Sequence, residues 1–183
     1  MSITVIMDLQ GTLGGDPMGD VSNFEFYPRT IEALKLLSST NCRLIIITNQ
    51  SRISKGFIDS IFFNNKVSEL ISILKRNGID PIEFYYCPHT TEDNCDCKKP
   101  KTKLFETANA KDEINIDNCY MIGDMGKSDM LFAHNLGIKK VLVLTGLGDS
   151  SLKDYRHTWE ITTPDYIATD IYSAVEWIPL ALI

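Results

Sequence analysis

The segment Ile3-Thr4-Val5-Ile6-Met7-Asp8-Leu9-Gln10-Gly11-Thr12-Leu13 carries an apolar run onto an aspartate and then a glycine turn. Open α/β sheets place their ligands just beyond the carboxyl ends of strands, so Asp8 is a candidate nucleophile or metal ligand. Cys87, His89, Cys95 and Cys97 bring three thiolates and an imidazole close together in the chain, a soft donor set suited to tetrahedral Zn2+. Four protein ligands leave no open coordination position. The zinc expected here is therefore structural, pinning a loop that buries too little to fold alone.

Thr48-Asn49-Gln50-Ser51 closes a second apolar run with small polar side chains. Such a stretch is either a polar turn or a phosphate site built from the Thr48 hydroxyl and the Asn49 amide. Lys98 and Lys99 directly follow the Cys/His loop, and a metal-pinned loop would hold a lysine in a fixed place. An ammonium fixed beside Asp8 would neutralise charge developing on a transferred phosphoryl group. Gly123-Asp124-Met125-Gly126-Lys127-Ser128-Asp129 sets two carboxylates around a strand-to-helix turn. Asp124 with Asp8 makes a hard oxygen site for Mg2+. Asp129 either supports that site from behind or stands in the first turn of the helix, where its charge suits the dipole. The Gly126-Lys127-Ser128 tripeptide has little weight as a nucleotide P-loop, because the glycine needed five positions earlier is Met121.

Taken in order, these stretches resemble the motifs of the haloacid dehalogenase (HAD) phosphatase superfamily. The Cys/His loop narrows the resemblance to the branch that contains D-glycero-D-manno-heptose bisphosphate phosphatase and the histidinol-phosphatase domain. It is carried by Asp8-Leu9-Gln10-Gly11-Thr12, Thr48-Asn49-Gln50-Ser51, Lys55-Gly56, Tyr86-Cys87-Pro88-His89, Cys95 through Pro100, and Gly123-Asp124, and it covers about Ile3 to Leu144. It implies a three-layer Rossmann-like parallel sheet with helices on both faces, a zinc loop and a minimal cap. It implies Asp8 as nucleophile, Thr48 and Lys99 as phosphate ligands with Asn49 and Lys98 beside them, and Asp8, the backbone carbonyl of Gln10 and Asp124 as Mg2+ ligands. The substrate would be a small phosphorylated sugar or another biosynthetic phosphate monoester, and the protein a monomer.

Two positions depart from that pattern. Met125 stands where relatives of this branch often carry a lysine, and Gln10 stands where the superfamily has its acid/base aspartate. A glutamine amide donates and accepts hydrogen bonds but does not titrate near neutral pH. General acid–base catalysis is typically worth ~10²–10⁴-fold, so its loss slows a phosphatase without removing the nucleophile, metal and lysine. Three readings follow: a slowed or specialised phosphatase, with Asp16 or Asp20 as a substitute acid; a protein that binds a phosphorylated ligand without turnover; or a phosphotransferase with a long-lived aspartyl-phosphate.

The elements that must position these residues are legible as an alternation. Strands are expected over Ile3–Met7, Arg43–Ile47, Ile82–Tyr86, Cys119–Ile122, Val141–Leu144 and Asp165–Ala168. Helices are expected around Ile31, Leu34 and Leu37; from Ile58 through Ile61, Phe62, Leu70, Ile71 and Leu74 to Asn77-Gly78; over Lys103–Lys111; around Leu131, Ala133 and Leu136 up to Gly137; and within Ile171–Ile178. Strand–helix alternation predicts a parallel sheet covered on both faces. Gly14 through Asp20 reads as a loop over the site, and Phe24, Phe26 and Tyr27 as packing residues.

The chain has 183 residues, a length that suits a single domain over 1–183, and its formal net charge is −6. That balance excludes a surface built to coat nucleic acid but leaves room for a local basic pocket. No apolar run approaches a membrane span. The first residues read as a strand without a basic flank or cleavage site, which makes the cytoplasm the expected compartment. Cys42 and Cys119, apart from the cluster, read as inert core thiols.

Overall fold

The computed structural model describes residues 3–180. In chain order it contains β1 (Thr4–Met7), α1 (Thr30–Ser38), β2 (Arg43–Asn49), α2 (Ser60–Arg76), β3 (Ile82–Cys87) and α3 (Lys103–Lys111). These are followed by β4 (Cys119–Gly123), α4 (Leu131–Leu136), β5 (Lys139–Val143), α5 (Gly148–Lys153), β6 (Tyr166–Ala168) and α6 (Ile171–Trp177). The strands form one sheet in the order β3-β2-β1-β4-β5-β6, and every pair is parallel. Chain order reverses at β1, where β2 flanks one edge and β4 the other. In parallel α/β sheets this reversal opens the crevice in which ligands bind.

The strands are apolar on both faces because both faces are covered. Val5, Met7, Leu44, Ile46, Tyr120 and Ile122 point to a layer containing Leu34 and Leu37 of α1, Phe63 and Leu70 of α2, and Ala174 and Val175 of α6. Their alternates Ile6, Ile45, Ile47, Cys119 and Met121 point the other way, toward Phe105 and Ala108 of α3 and Phe132 and Ala133 of α4. The period of two along each strand sorts residues between the two layers. No helix among the described residues is long and apolar enough to cross a membrane.

One expectation is corrected, and one element is new. In α2 the buried stripe is Phe63, Val67, Leu70 and Leu74, whereas Ile61 and Phe62 are exposed and Ile58 precedes the helix. The chain spacing of the apolar residues admitted two faces, and Asp59, capping the N–H groups of Ile61 and Phe62, fixes the start so that the later set turns inward. Helix α5, with the turn Arg156–Thr158 that follows it, carries no helical apolar period and was not expected.

Candidate active site

The carboxyl ends of β1, β2 and β4 and the loop after β3 converge on one small cavity of about 70 Å³ lined by Asp8, Thr48, Lys99, Asp124 and Asp129. Each side chain is delivered by a rigid element. Asp8 is the first residue past β1, and its N–H extends the ladder to Ile122 O at 3.0 Å. Thr48 is the penultimate residue of β2, and Asp124 immediately follows β4. Lys99 comes from the loop between β3 and α3. Its Nζ lies 2.7 Å from Asp8 Oδ1 and 2.7 Å from Asp129 Oδ1. An ammonium has three N–H bonds, so one remains for a ligand oxygen.

Asp129 is thus in direct contact with the lysine, more intimately than a residue standing behind the site. It also serves the backbone, since Oδ2 accepts the Met125 N–H at 3.0 Å and Oδ1 the Ser128 hydroxyl at 3.2 Å. The turn that presents it, Gly126–Met130, is π-helical. Such widened turns cluster at functional sites because they re-aim side chains without breaking the helix.

Three carboxylate oxygens, from Asp8, Asp124 and Asp129, lie within 4.8 Å of one another, with one ammonium among them. Burial pushes the Asp8 carboxyl up to about 6, Lys99 pulling it back. Burial, then Asp129 and Asp8, hold Asp124 well above the usual carboxylate range. Burial works against the Lys99 charge, but Asp129 and Asp8 keep it above the ordinary lysine value. Buried carboxylates that outnumber the one ammonium, their pKa values raised first by burial and then by one another, fit a hard divalent cation held by Asp8 and Asp124. Asp124 is itself tightly held. Thr12 donates to Oδ1 at 3.1 Å, the Leu147 N–H to Oδ2 at 2.8 Å, and a Cβ at Gly11 or Gly146 would fall 2.2 or 2.4 Å from Oδ2.

Gln10 is buried, and its amide is committed elsewhere. Nε2 donates to Asp16 O at 2.9 Å and Gly19 O at 3.2 Å, while Oε1 accepts from Gln50 Nε2 at 3.0 Å. The loop aspartates are also occupied. Asp20 accepts from the Ser22 N–H and hydroxyl, contacts that hold its carboxyl below the usual range and so keep it ionised, with no proton to donate near neutral pH. Asp16 Oδ1 accepts the Met18 N–H at 2.9 Å.

Cys87, His89, Cys95 and Cys97 gather at the end of β3, with Cys87 Sγ 3.5 Å from Cys95 Sγ and 3.1 Å from Cys97 Sγ, and His89 Nδ1 3.2 Å from Cys97 Sγ. These separations are far beyond an S–S bond, and all four donor atoms lie within 4.8 Å of one another, so the four residues could close around a metal. The loop is tied to the carboxyl end of β2. Asn49 accepts the Lys99 N–H at 2.9 Å and donates to Lys99 O at 3.1 Å, and Ser51 donates to His89 O at 2.8 Å. Lys98 donates to Ser51 Oγ at 2.6 Å. Asn49 therefore holds the loop while also lining the inner cavity beside Lys99, whereas Lys98 lines only the outer cleft.

A wider cleft of about 580 Å³ opens outside the inner cavity and is lined by the cations Arg52, Lys55, Lys98, Lys99 and Lys127 without a carboxylate. Met18 and Phe57 stand on its rim. Phe24 and Phe26 instead pack edge to face at 5.2 Å, and Tyr27 donates to Gly15 O at 2.6 Å, so these aromatics build the loop's base.

Thr12, Gln50 and Ser128 complete the site. The first two lie inside recognisable motifs but carried no assigned role, because a hydroxyl or amide reveals its partner only in three dimensions. Behind Asp124, Ser151 of α5 donates to Asp124 O at 3.0 Å and accepts the Gly126 N–H at 3.2 Å. The unexpected α5 is thus the back wall of the site.

The family model described as HAD-hydrolase-like matches residues 96–174. A probable D-glycero-D-manno-heptose-1,7-bisphosphate 7-phosphatase of Thermoplasma volcanium is 33% identical over 135 residues, which is 73% of this chain and 92% of that protein. The histidine biosynthesis bifunctional protein HisB of Blochmanniella floridana is 32% identical over 142 residues, 75% of this chain but 40% of that longer protein. Among solved structures, D,D-heptose 1,7-bisphosphate phosphatase from B. bronchiseptica, complexed with magnesium and phosphate, superposes with a TM-score of 0.85 at 22% identity, covering 96% of this chain and 97% of that one. The chain belongs to the HAD-like phosphatases, in the branch of the heptose bisphosphate phosphatases and HisB.

Proposed function

We propose that the protein hydrolyses a small phosphorylated sugar, a heptose bisphosphate being the substrate named for its relatives, through an aspartyl-phosphate on Asp8. The observation that carries this reading is Lys99 Nζ at 2.7 Å from Asp8 Oδ1, at the end of a central strand and beside Thr48 and Asp124. The Asp8 oxygen not held by Lys99 attacks phosphorus, and the bond from phosphorus to the sugar oxygen breaks, the sugar oxygen taking its proton from solvent because Gln10 has none to give. Thr48 and Lys99 hold the equatorial oxygens as charge develops on them. Water then attacks the same phosphorus, releasing phosphate and restoring the Asp8 carboxylate. Mg2+ on Asp8, Asp124 and the backbone carbonyl of Gln10 would supply further charge neutralisation at the phosphoryl group. Zn2+ on Cys87, His89, Cys95 and Cys97 would fix the loop that delivers Lys99. The outer cations, Arg52, Lys55 and Lys127 among them, suit a substrate with a second anionic group.

A second reading is favoured by the commitment of the Gln10 amide. With no titratable group there to deprotonate water, the aspartyl-phosphate outlives its formation and can pass to an acceptor other than water. The deciding experiment is phosphate release from a panel of sugar mono- and bisphosphates with Mg2+, run beside Asp8→Asn and followed by acid quench for protein-bound phosphate. Hydrolysis predicts release that Asp8→Asn lowers by about 10³-fold or more. Labelled protein with little free phosphate supports transfer, and activity surviving in Asp8→Asn overturns both.

A further inference from the structure

We propose that Gln10 and Gln50 form an amide latch that holds the Asp16–Gly19 loop tip over the active site and presents the Thr48 hydroxyl toward the cavity. Gln10 would then be a loop anchor, and Gln50 a positioning residue. The functional half of this statement rests on the phosphatase reading given above; the mechanical half does not.

The geometry is a continuous chain of hydrogen bonds from β2 to the loop. Gln50 Nε2 donates to Thr48 Oγ1 at 3.1 Å and to Gln10 Oε1 at 3.0 Å, and Gln10 Nε2 donates to Asp16 O and Gly19 O. Both amide NH2 groups thereby use both of their protons. The polarity is fixed, because turning Gln10 over would set its carbonyl oxygen against two backbone carbonyl oxygens. Gln10 and Gln50 are both buried, so these bonds face little competition from water.

The loop tip has few other ties. Its remaining hydrogen bonds among the described residues are internal: Met18 N–H to Asp16 Oδ1, Gly19 N–H to Asp16 O, and Asp20 with Ser22. Only its base is sewn to the body, by the Gly15 N–H to Glu25 O and by Tyr27 to Gly15 O. Pro17 of the tip lines both the inner cavity and the outer cleft, so an unlatched tip would open both. At the other end of the chain, the Gln50 N–H occupies a lone pair of Thr48 Oγ1, which leaves the hydroxyl proton to be given to a ligand.

The test is hydrogen exchange of the full-length protein without substrate, comparing the parent with Gln10→Met, Gln50→Met and the double variant. Methionine keeps the length of the side chain and removes the amide. Gln10→Glu, which keeps the shape but opposes a carboxylate to two carbonyls, guards against failure of the methionine variants to fold. Exchange in the peptide spanning residues 16–20 should accelerate about tenfold or more in Gln10→Met and Gln10→Glu, with β1 and β4 unchanged. Gln50→Met should accelerate it less, and the double variant no more than Gln10→Met alone. Unchanged exchange in both Gln10 variants, or additive effects of the two positions, overturns the latch whatever the protein hydrolyses. Where turnover is measurable, Gln50→Met should raise KM about tenfold while changing kcat less, a split that a purely structural role would not give.

Discussion

Lys99 Nζ and Asp129 Oδ1 meet at 2.7 Å with both side chains 1% exposed, a buried ion pair inside a cavity that also holds Asp8 and Asp124. Removing the ammonium leaves carboxylates facing each other with no countercharge. Lys99→Met should therefore lose about 3–5 kcal/mol of stability at pH 7 in chelator, measured by urea unfolding, and recover part of it at pH 5 as carboxyls protonate. Phosphate release should fall at least ~10²-fold.

The parent protein freed of divalent ions should become less stable as pH rises from about 4 to 7. Burial raises the folded Asp8 carboxyl to about 6 from the 3.8 ordinary for an aspartate, so the unfolded chain gives up this proton first. The stabilising contribution is complete below the unfolded value and lost as pH passes the folded one. Asp124, raised in the same direction by burial and its acidic neighbours, adds to the trend. Mg2+ needs the ionised carboxylates, so its increment in Tm should be larger at pH 7.5 than at pH 5. Thermal scans with chelator and with Mg2+ check both slopes, and a Tm that rises with pH in chelator contradicts the assignment.

Gln10→Asp should raise kcat by about tenfold or more, since a carboxyl at this position can exchange protons with the leaving oxygen and the attacking water. KM should rise at the same time, because the shorter side chain cannot reach Asp16 O and Gly19 O as the glutamine does. Steady-state kinetics separates the two. A kcat that stays at the parent level would mean that proton transfer is already supplied from another group.

Atomic absorption should find one zinc per chain, and Cys95→Ser or Cys97→Ser should abolish it. Activity should fall with the zinc, because Lys99 reaches Asp8 only while Asn49 grips its backbone at one end and the Cys/His loop fixes the other. Retained activity in a zinc-free variant would detach the loop from catalysis.

Gly126→Ala should destabilise the protein by about 1–3 kcal/mol, since a Cβ there would lie 2.2 Å from the Trp159 indole. That ring is itself fixed, with Nε1 donating to Ser151 O at 3.1 Å and the Arg156 guanidinium 4.1 Å from its centroid. Because Ser151 also holds Asp124 O, the loss should reach catalysis as well as the urea midpoint.

Much of this arrangement is legible in the chain because strand ends are legible. Asp8, Thr48 and Asp124 are found by reading where apolar runs stop, and the alternation of runs fixes the kind of sheet that unites them. Lys99 is reached less directly, through the Cys/His spacing that implies a pinned loop. Gln50 is silent, since an amide looks alike whether it faces water or bridges Thr48 to Gln10. Ile61 and Phe62 mislead because apolar residues on an exposed helix face copy the spacing of buried ones. The α5 region is missed for the opposite reason: Ser151 and Gly148 carry its contacts, and neither contributes to an apolar period.

The placement of β1 between β2 and β4 also has a bearing on synthesis at the ribosome. Strand β1 can pair with β2 as soon as Arg43–Asn49 emerges, but its other edge waits for Cys119–Gly123. At an elongation rate of ~10 residues per second, that interval is roughly seven seconds or more. During it the nascent chain carries an apolar strand with one open edge and an aspartate whose acidic neighbours have not yet been made. The charge cluster of the site is therefore assembled late, after Lys99 has been synthesised, and the growing polypeptide never has to bury Asp124 and Asp129 before their countercharge exists.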